Sequence, residues 1–427
     1  MNRRDFLKLV TATGLASSFT GLNRAVQAGT LHTGKVFVTL HLGGGWDHSS
    51  CCDPRENPLI NRWASTQKAG VAGNLRYAPM AENAAFFNKY YNYLMVLNGI
   101  DMQTNGHDAA SRTRNTGNLA EGSPSTNELY AAVVGANLPM PFVRQGGFDG
   151  TVGIMPFTYL PDENLLKTLA DPNFYSGSKT YYAASHVDVM HRYEAERLAT
   201  QQQQTDNLPR WQRKLDELER ARVGRADIKS IGSVLTGTLD TKDLQGVSRN
   251  GIRELNLFLV LAAAGLTATG SFSTGGWDSH GNHDNAHTAT LTDMARLLDY
   301  LWTKAESMGI AERLVVHVTS DVGRTPGYNA TNGKDHWSLG SDMIMMKNAP
   351  WANRMVGMSD AKHNRLKLNP STLQPDATNG IYLQTKHIHT ELRKILGISD
   401  HALAKRYDLK AESFALFDPA VASGIQV

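Results

Sequence analysis

Residues 275–287 read GGWDSHGNHDNAH, which sets His280, His283 and His287 beside Asp278 and Asp284. Imidazoles suit zinc, manganese or iron, and carboxylates ligate or bridge harder ions, so the run has the chemistry of a metal site. Three further stretches share it. GGGWDHSS carries Asp47 and His48, TSDVGRTP carries Asp321 and Arg324, and GKDHW carries Asp335 and His336. Two divalent ions about 4 Å apart would hold the attacking and leaving oxygens of a displacement in line. The planar fork of Arg324 matches a tetrahedral oxyanion. Each residue also has a plainer reading. Asp47 would cap a following helix, Asp284 and His287 would begin a solvated helix, Asp321 would be a turn residue and His336 a core histidine. No single residue decides between the readings; the order and placement of the four clusters favour a metal site.

The placement comes from the flanking elements. In KVFVTLHL, Val36, Val38 and Leu40 alternate with Phe37, Thr39 and His41, which predicts a strand buried on both faces that ends in a glycine turn. Further strands are predicted at 93–100, 267–274, 313–321 and 342–347. A buried helix is predicted at 255–265 and a late one at 389–397. From Asn285 to Met308, Leu291, Met294, Leu298, Leu301, Trp302 and Ala305 recur at helical spacing and mark one apolar face. Strands alternating with helices predict an α/β fold, a sheet with helices on both faces. Asp47, Asp278 and Asp321 each follow a predicted strand, where such folds gather their chemistry. Residues 191–224 are charged and glutamine-rich, and predict one or two exposed helices in a cap or insertion.

The chain has 427 residues, 41% hydrophobic and 19% charged, a globular composition. Arg3 and Arg4 precede Phe6 and Leu7, a weakly apolar run follows, and Val26 and Ala28 fit small-residue cleavage. Residues 1–28 thus read as a twin-arginine export signal, cut after Ala28, with the export machinery as partner and the periplasm or exterior as destination. The run is too weakly apolar for a stable membrane anchor. Arg3, Arg4, Lys8 and Arg24 against Asp5 carry the whole formal charge of +3, so the remainder is near neutral and no nucleic-acid partner is implied. Cys51 and Cys52 are adjacent and give no disulfide framework. No nucleophile elbow, P-loop or dinucleotide fingerprint competes.

The order WD, GGWDSHGNH, SDVGRTPGYN and GKDHW, with the twin-arginine start and the closing TKHIHTELRKILGI, resembles the exported bacterial family labelled domain of unknown function 1501. That family is similar to the alkaline phosphatase and sulfatase superfamily. The resemblance implies a large, mostly parallel central sheet flanked by helices on both faces. It implies one such α/β domain over 29–427, with the helical insertion at about 155–250. It also implies divalent metal (zinc, manganese or calcium) and hydrolysis of a small anionic phosphate or sulfate ester. Carried over residue by residue, Asp278 with His280 or His283 and with His336 would hold one ion, and Asp47 and Asp321 the other. Val322 stands where the superfamily has a histidine, so one ligand is missing unless His48 or His107 replaces it. The nucleophile helix matches TNGHDAASRTRNTGN (104–118), where Asp108 takes the attacking position and Thr104 and Ser111 lie nearby. Arg324 or Asn105 would bind the oxyanion. The alternative is a catalytically degenerate relative that serves as a periplasmic binding or assembly protein.

Overall fold

Every residue of strand β1 (Val36–Leu42) is buried, and its alternate side chains enter two different cores. Val36, Val38 and Leu40 join one apolar cluster, and Phe37 joins another. That division is what a strand covered on both faces requires. The computed structural model describes residues 31–146, 151–161, 163–176, 179–232 and 249–421; the export signal expected at 1–28 lies outside them. The other strands of the central sheet are β2 (Leu94–Asp101), β3 (Phe142–Gln145), β4 (Thr158–Tyr159), β5 (Thr269–Thr274), β6 (Leu314–Ser320), β7 (Leu339–Met345) and β8 (Arg354–Val356), in spatial order β8-β2-β7-β6-β1-β5-β3-β4. β1 lies parallel between β6 and β5, and the β5-β3-β4 side continues parallel. β7 runs antiparallel to both β6 and β2, and β8 returns to the parallel sense beside β2. The large, mostly parallel sheet that the resemblance implies is present.

The described helices are α1 (Asn83–Tyr90), α2 (His107–Thr116), α3 (Thr126–Val134), α4 (Glu163–Ala170), α5 (Ala184–Gln202), α6 (Pro209–Gly232), α7 (Arg249–Ala263), α8 (His283–Ser307) and α9 (Thr385–Ile395), followed by a short turn of helix at Ala402–Arg406. α7 and α8 cover one sheet face, while α3 and α9 cover the other. Leu291, Met294, Leu298, Leu301, Trp302 and Ala305 of α8 are buried as the spacing predicts. Each fully buried large side chain of this kind contributes roughly 1.5–3 kcal/mol. α8 starts two residues earlier than its apolar pattern suggests, after Asn282 in the left-handed region at φ 47°. His283 and His287 therefore fall one turn apart on the inner face, both fully buried. His287 is not part of a solvated helix start. In the glutamine-rich middle, α5 buries only Leu198 among its described side chains. Among the described residues no helix is long and apolar enough to cross a membrane.

Because β1, β5 and β6 are neighbours running the same way, the loops that leave them open on one edge of the sheet. Asp47, Asp278 and Asp321 all leave the sheet there, as does the segment that enters α2.

Candidate metal centre

Two glycine turns pack against each other beneath the site. Gly44 has φ 121°, and a Cβ there would stand 2.6 Å from the backbone nitrogen of Asp278. The turn after β1 can approach the loop after β5 this closely only as glycine. Asp321, the first residue past β6, is nearly buried and accepts hydrogen bonds from the backbone nitrogens of Gly44 (3.1 Å to Oδ1) and Val322 (3.0 Å to Oδ1). Its Oδ2 lies 2.6 Å from His107 Nδ1, at the opening of α2.

Three histidines meet around Asp278. His280 Nε2 is 3.0 Å and His336 Nε2 3.2 Å from Asp278 Oδ1, and those two nitrogens are 3.2 Å apart. His107 Nε2 lies 3.7 Å from Asp278 Oδ2. The far nitrogen of each ring faces an oxygen that can only accept. His107 Nδ1 faces Asp321, His280 Nδ1 faces Asp335 Oδ1 at 2.8 Å, and His336 Nδ1 faces the Asn105 carbonyl at 2.9 Å. All three Nδ1 atoms therefore carry the hydrogen, and in the neutral rings every Nε2 is a bare lone pair turned towards the carboxylate. A triangle of three lone-pair atoms about 3 Å apart is repulsive unless they share a cation, either an added proton or a metal ion. Zinc–nitrogen bonds of ~2.0–2.1 Å set tetrahedral ligand edges of ~3.3 Å, close to the separations here. The trio Asp278, His280 and His336 thus fits a divalent metal, and one ligand atom each of His107, Asp278 and His336 lies within 4.8 Å of the other two. Carboxylates or a carbonyl on the outer nitrogens are the supports that metal-bound histidines ordinarily have. The centre stays open, with the side chains of Asp278 and His280 each 47% exposed. Burial opposes ionisation of Asp278, but the hydrogen bond and the nearby charge of Arg324 outweigh it and hold the carboxyl below its usual range.

Asp47 and His283 belong to a different cluster. Asp47 caps the short 3-10 turn His48–Ser50 by accepting from the Ser49 nitrogen at 2.9 Å, so the plainer reading of this residue describes its local role. Its Oδ1 also takes the Ser49 hydroxyl, and its Oδ2 takes Lys334 Nζ at 2.7 Å, His283 Nε2 at 2.9 Å and Ser50 Oγ at 3.1 Å. The side chains of Asp47, His283 and Lys334 are all fully buried. The polarity of the cluster can be followed round a ring. The Asp47 nitrogen donates to His287 Nε2, so His287 Nδ1 donates to Ser279 Oγ, which donates to His283 Nδ1, and His283 Nε2–H returns to the Asp47 carboxylate. Between His280 and His283, only His280 reaches Asp278. The lysine within GKDHW, which sequence reasoning passed over, pairs with the carboxylate that was expected to hold a second ion.

Arg324 is not free to clamp a substrate oxyanion. The residue is fully buried. Its Nε donates to the Gly45 carbonyl at 2.9 Å, Nη1 to the Lys334 carbonyl at 3.0 Å, and Nη2 to the Gly44 carbonyl and to Asp278 Oδ1 at 2.6 Å. It ties the three loops together and orients Asp278. Thr104 and Asp108 flank the start of α2, where Thr104 Oγ1 accepts from the Gly106 nitrogen at 3.2 Å and Asp108 is exposed in the first helical turn. Ser111, partly buried, lies one turn further along. Among the described residues no hydroxyl hydrogen-bonds to the side chains of Asp278, His107, His280 or His336; Thr331 Oγ1 donates to the His280 backbone carbonyl at 2.6 Å. His107, which the sequence offered only as a stand-in for a missing ligand, is the residue that joins Asp321 to Asp278.

Residues 257–374 match the family model described as protein of unknown function (DUF1501), the family that the motifs resemble. No curated protein matches the chain. Similar solved structures include the PsFucS1 sulfatase from Pseudoalteromonas sp., at 11% identity and a TM-score of 0.36, covering 85% of this chain and 70% of that one. The alkaline phosphatase from the Antarctic bacterium TAB5 is similar at 11% identity and a TM-score of 0.33, over 74% and 92%. A Bacteroides thetaiotaomicron protein from work on glycosaminoglycan metabolism is similar at 9% identity and a TM-score of 0.42, over 91% and 77%.

Proposed function

We propose that this chain is an exported, metal-dependent hydrolase of phosphate or sulfate esters with one cation centre, held by His107, Asp278, His280 and His336. The observation that carries the proposal is the triangle of Asp278 Oδ1, His280 Nε2 and His336 Nε2, whose sides of 3.0–3.2 Å call for a shared cation. A divalent ion there would supply Lewis-acid stabilisation of charge developing on a phosphoryl or sulfuryl oxygen. The chain's own groups do the rest. Asp321, Asp335 and the Asn105 carbonyl hold the three rings with Nε2 inward, and Arg324 holds Asp278. α2 opens at Gly106 without a side-chain cap, so its first backbone N–H groups and dipole favour an anionic ester next to His107. Thr104, Asp108 and Ser111 are the candidates for attack or proton transfer. The two-ion arrangement expected from the resemblance has less support, because Lys334 already neutralises Asp47 and Asp321 is engaged by His107. Export by the twin-arginine route to the periplasm or beyond belongs to the same proposal.

The test is metal content and turnover of aryl phosphates and aryl sulfates by the full chain. Loss of bound metal and of turnover together in Asp278→Asn and His336→Ala, both still folded by circular dichroism, is the expected result. Turnover that survives chelation and both substitutions would overturn the proposal. Metal binding without turnover on either ester class would instead favour the non-catalytic binding or assembly protein, a reading in keeping with the centre's side chains having no hydroxyl partner among the described residues.

A further inference from the structure

Behind Asp47 lies a second group of ligand-type side chains that the proposed reaction does not use. His48 and His363 are fully buried, and their rings stack with centroids 4.5 Å apart and planes 6° from parallel. One ligand atom each of Asp47, His48 and His363 lies within 4.8 Å of the other two. Both ring nitrogens of His48 and Nε2 of His363 lack a hydrogen-bond partner. Bare buried polar atoms are costly, and three of them on two touching rings mark a place built for something else.

The surroundings fix the chemistry of His363. Ser359 Oγ gives its hydrogen to Asp53 Oδ2 at 2.6 Å and accepts from Arg55 Nε at 3.0 Å. At 3.2 Å from His363 Nδ1 it can only accept again, so Nδ1 carries the hydrogen and Nε2 is a free lone pair. His363 itself is held at φ 65°, in the left-handed region that non-glycine residues rarely enter. His48 has no ring bond, so it turns about Cβ–Cγ without losing one.

We infer that Asp47, His48 and His363 form a buried site for a divalent cation of the zinc type, separate from the open centre at Asp278. Two imidazole nitrogens and a carboxylate oxygen are a borderline donor set that suits zinc, and burial of all three side chains keeps bulk solvent and a large substrate away from it. The parallel rings cannot both direct a lone pair at one point. Loading therefore turns His48 and draws the ligand atoms, which already lie within 4.8 Å of one another, towards the ~3.3 Å edge of a zinc tetrahedron. The Lys334 ammonium already sits on Asp47, 2.7 Å from Oδ2, and competes with the ion for that carboxylate. Ion binding thus displaces Lys334 from this carboxylate oxygen.

The experiment uses zinc alone on the full chain. The open centre is first removed in a His107→Ala/His336→Ala double variant, and bound zinc is counted by elemental analysis after dialysis. One equivalent of zinc is expected to remain, to disappear on adding His48→Gln and His363→Gln, and to bind about ten-fold or more tightly with Lys334→Met, which removes a like charge next to the ion. Anomalous diffraction at the zinc edge from wild-type crystals covers the case of an unfolded variant, with a peak expected among Asp47, His48 and His363. Absence of that peak in zinc-soaked crystals, or a folded double variant that holds no zinc, overturns the inference. Retention of the equivalent after both glutamine substitutions overturns it as well. Failure of the Asp278 centre to bind metal leaves this result untouched, because the two sites share no ligand.

Discussion

Replacing Lys334 with methionine, which keeps the stem and removes the charge, tests whether the buried pair with Asp47 holds the loops together. Both side chains have no exposed surface, and among the described donors to this carboxylate the ammonium is the one full positive charge. Breaking a buried pair from one side ordinarily costs 3–5 kcal/mol, because it leaves a desolvated charge. The Ser49 nitrogen and hydroxyl, Ser50 Oγ and His283 Nε2 remain after the substitution, which places the expected loss near the lower end, about 3 kcal/mol at pH 7. The pH dependence carries more information. In the wild type, burial raises the Asp47 pKa, but Lys334 and His283 overcome it and hold the carboxyl well below its usual value. The stability it contributes is therefore present above the unfolded value of about 3.9 and is lost as pH falls through the folded one. Without Lys334 the burial effect has less opposition and the folded pKa rises. The variant's deficit is then greatest at neutral pH and shrinks towards pH 4, where Asp47 takes up a proton. Urea unfolding followed by circular dichroism at pH 7 and pH 4.5, with chelator present, measures both values. A deficit below about 1 kcal/mol at pH 7, or one equal at the two pH values, would refute the reasoning.

Four further outcomes follow from the same geometry. Asp321→Asn is expected to weaken metal binding at the open centre by about 10–100-fold without lowering its stoichiometry, as for a residue that orients His107; loss of a whole equivalent in a metal titration would make Asp321 a ligand. Arg324→Lys keeps one charge but cannot reach four acceptors at once, so a stability loss of about 2–4 kcal/mol and weakened metal binding are expected by denaturation and cobalt titration. Gly333→Ala puts a Cβ 1.9 Å from the backbone of His280, so the loop must move and cobalt affinity is expected to fall at least about ten-fold, with far-ultraviolet dichroism unchanged. His389, held down to about 3 by burial and by its neighbour His317, stays neutral in the fold. Its folded pKa lies below the unfolded value of about 6.5, so it contributes stability above that pH and loses ~1.4 kcal/mol per pH unit as pH falls from 6.5 towards 3. His389→Gln is expected to flatten that part of the pH–stability profile measured by urea unfolding.

The sheet and the edge on which chemistry gathers were legible in the chain. Val36–Leu42, Leu314–Ser320 and the α8 apolar face carry the periods of a doubly covered strand and of an amphipathic helix, and those periods are local properties of sequence. Ligand-type residues at the ends of β1, β5 and β6 followed from the same reading, because each aspartate comes directly after a run of strand formers. Which of them share a point was not legible. His280 and His283 are three residues apart, yet they serve different carboxylates, because Asn282 adopts a left-handed conformation and starts α8 at His283, turning that ring inward. His107 lies more than two hundred residues from Asp321, and Lys334 nearly three hundred from Asp47; only parallel pairing of β1 with β5 and β6 brings their loops to one edge. By itself the sequence determined an α/β sheet with ligand-type residues at its strand ends, since those patterns repeat within a few residues. The tertiary structure alone decided that Asp278 gathers an open centre while Asp47 closes on Lys334, because partner choice depends on burial and on side-chain direction across distant loops.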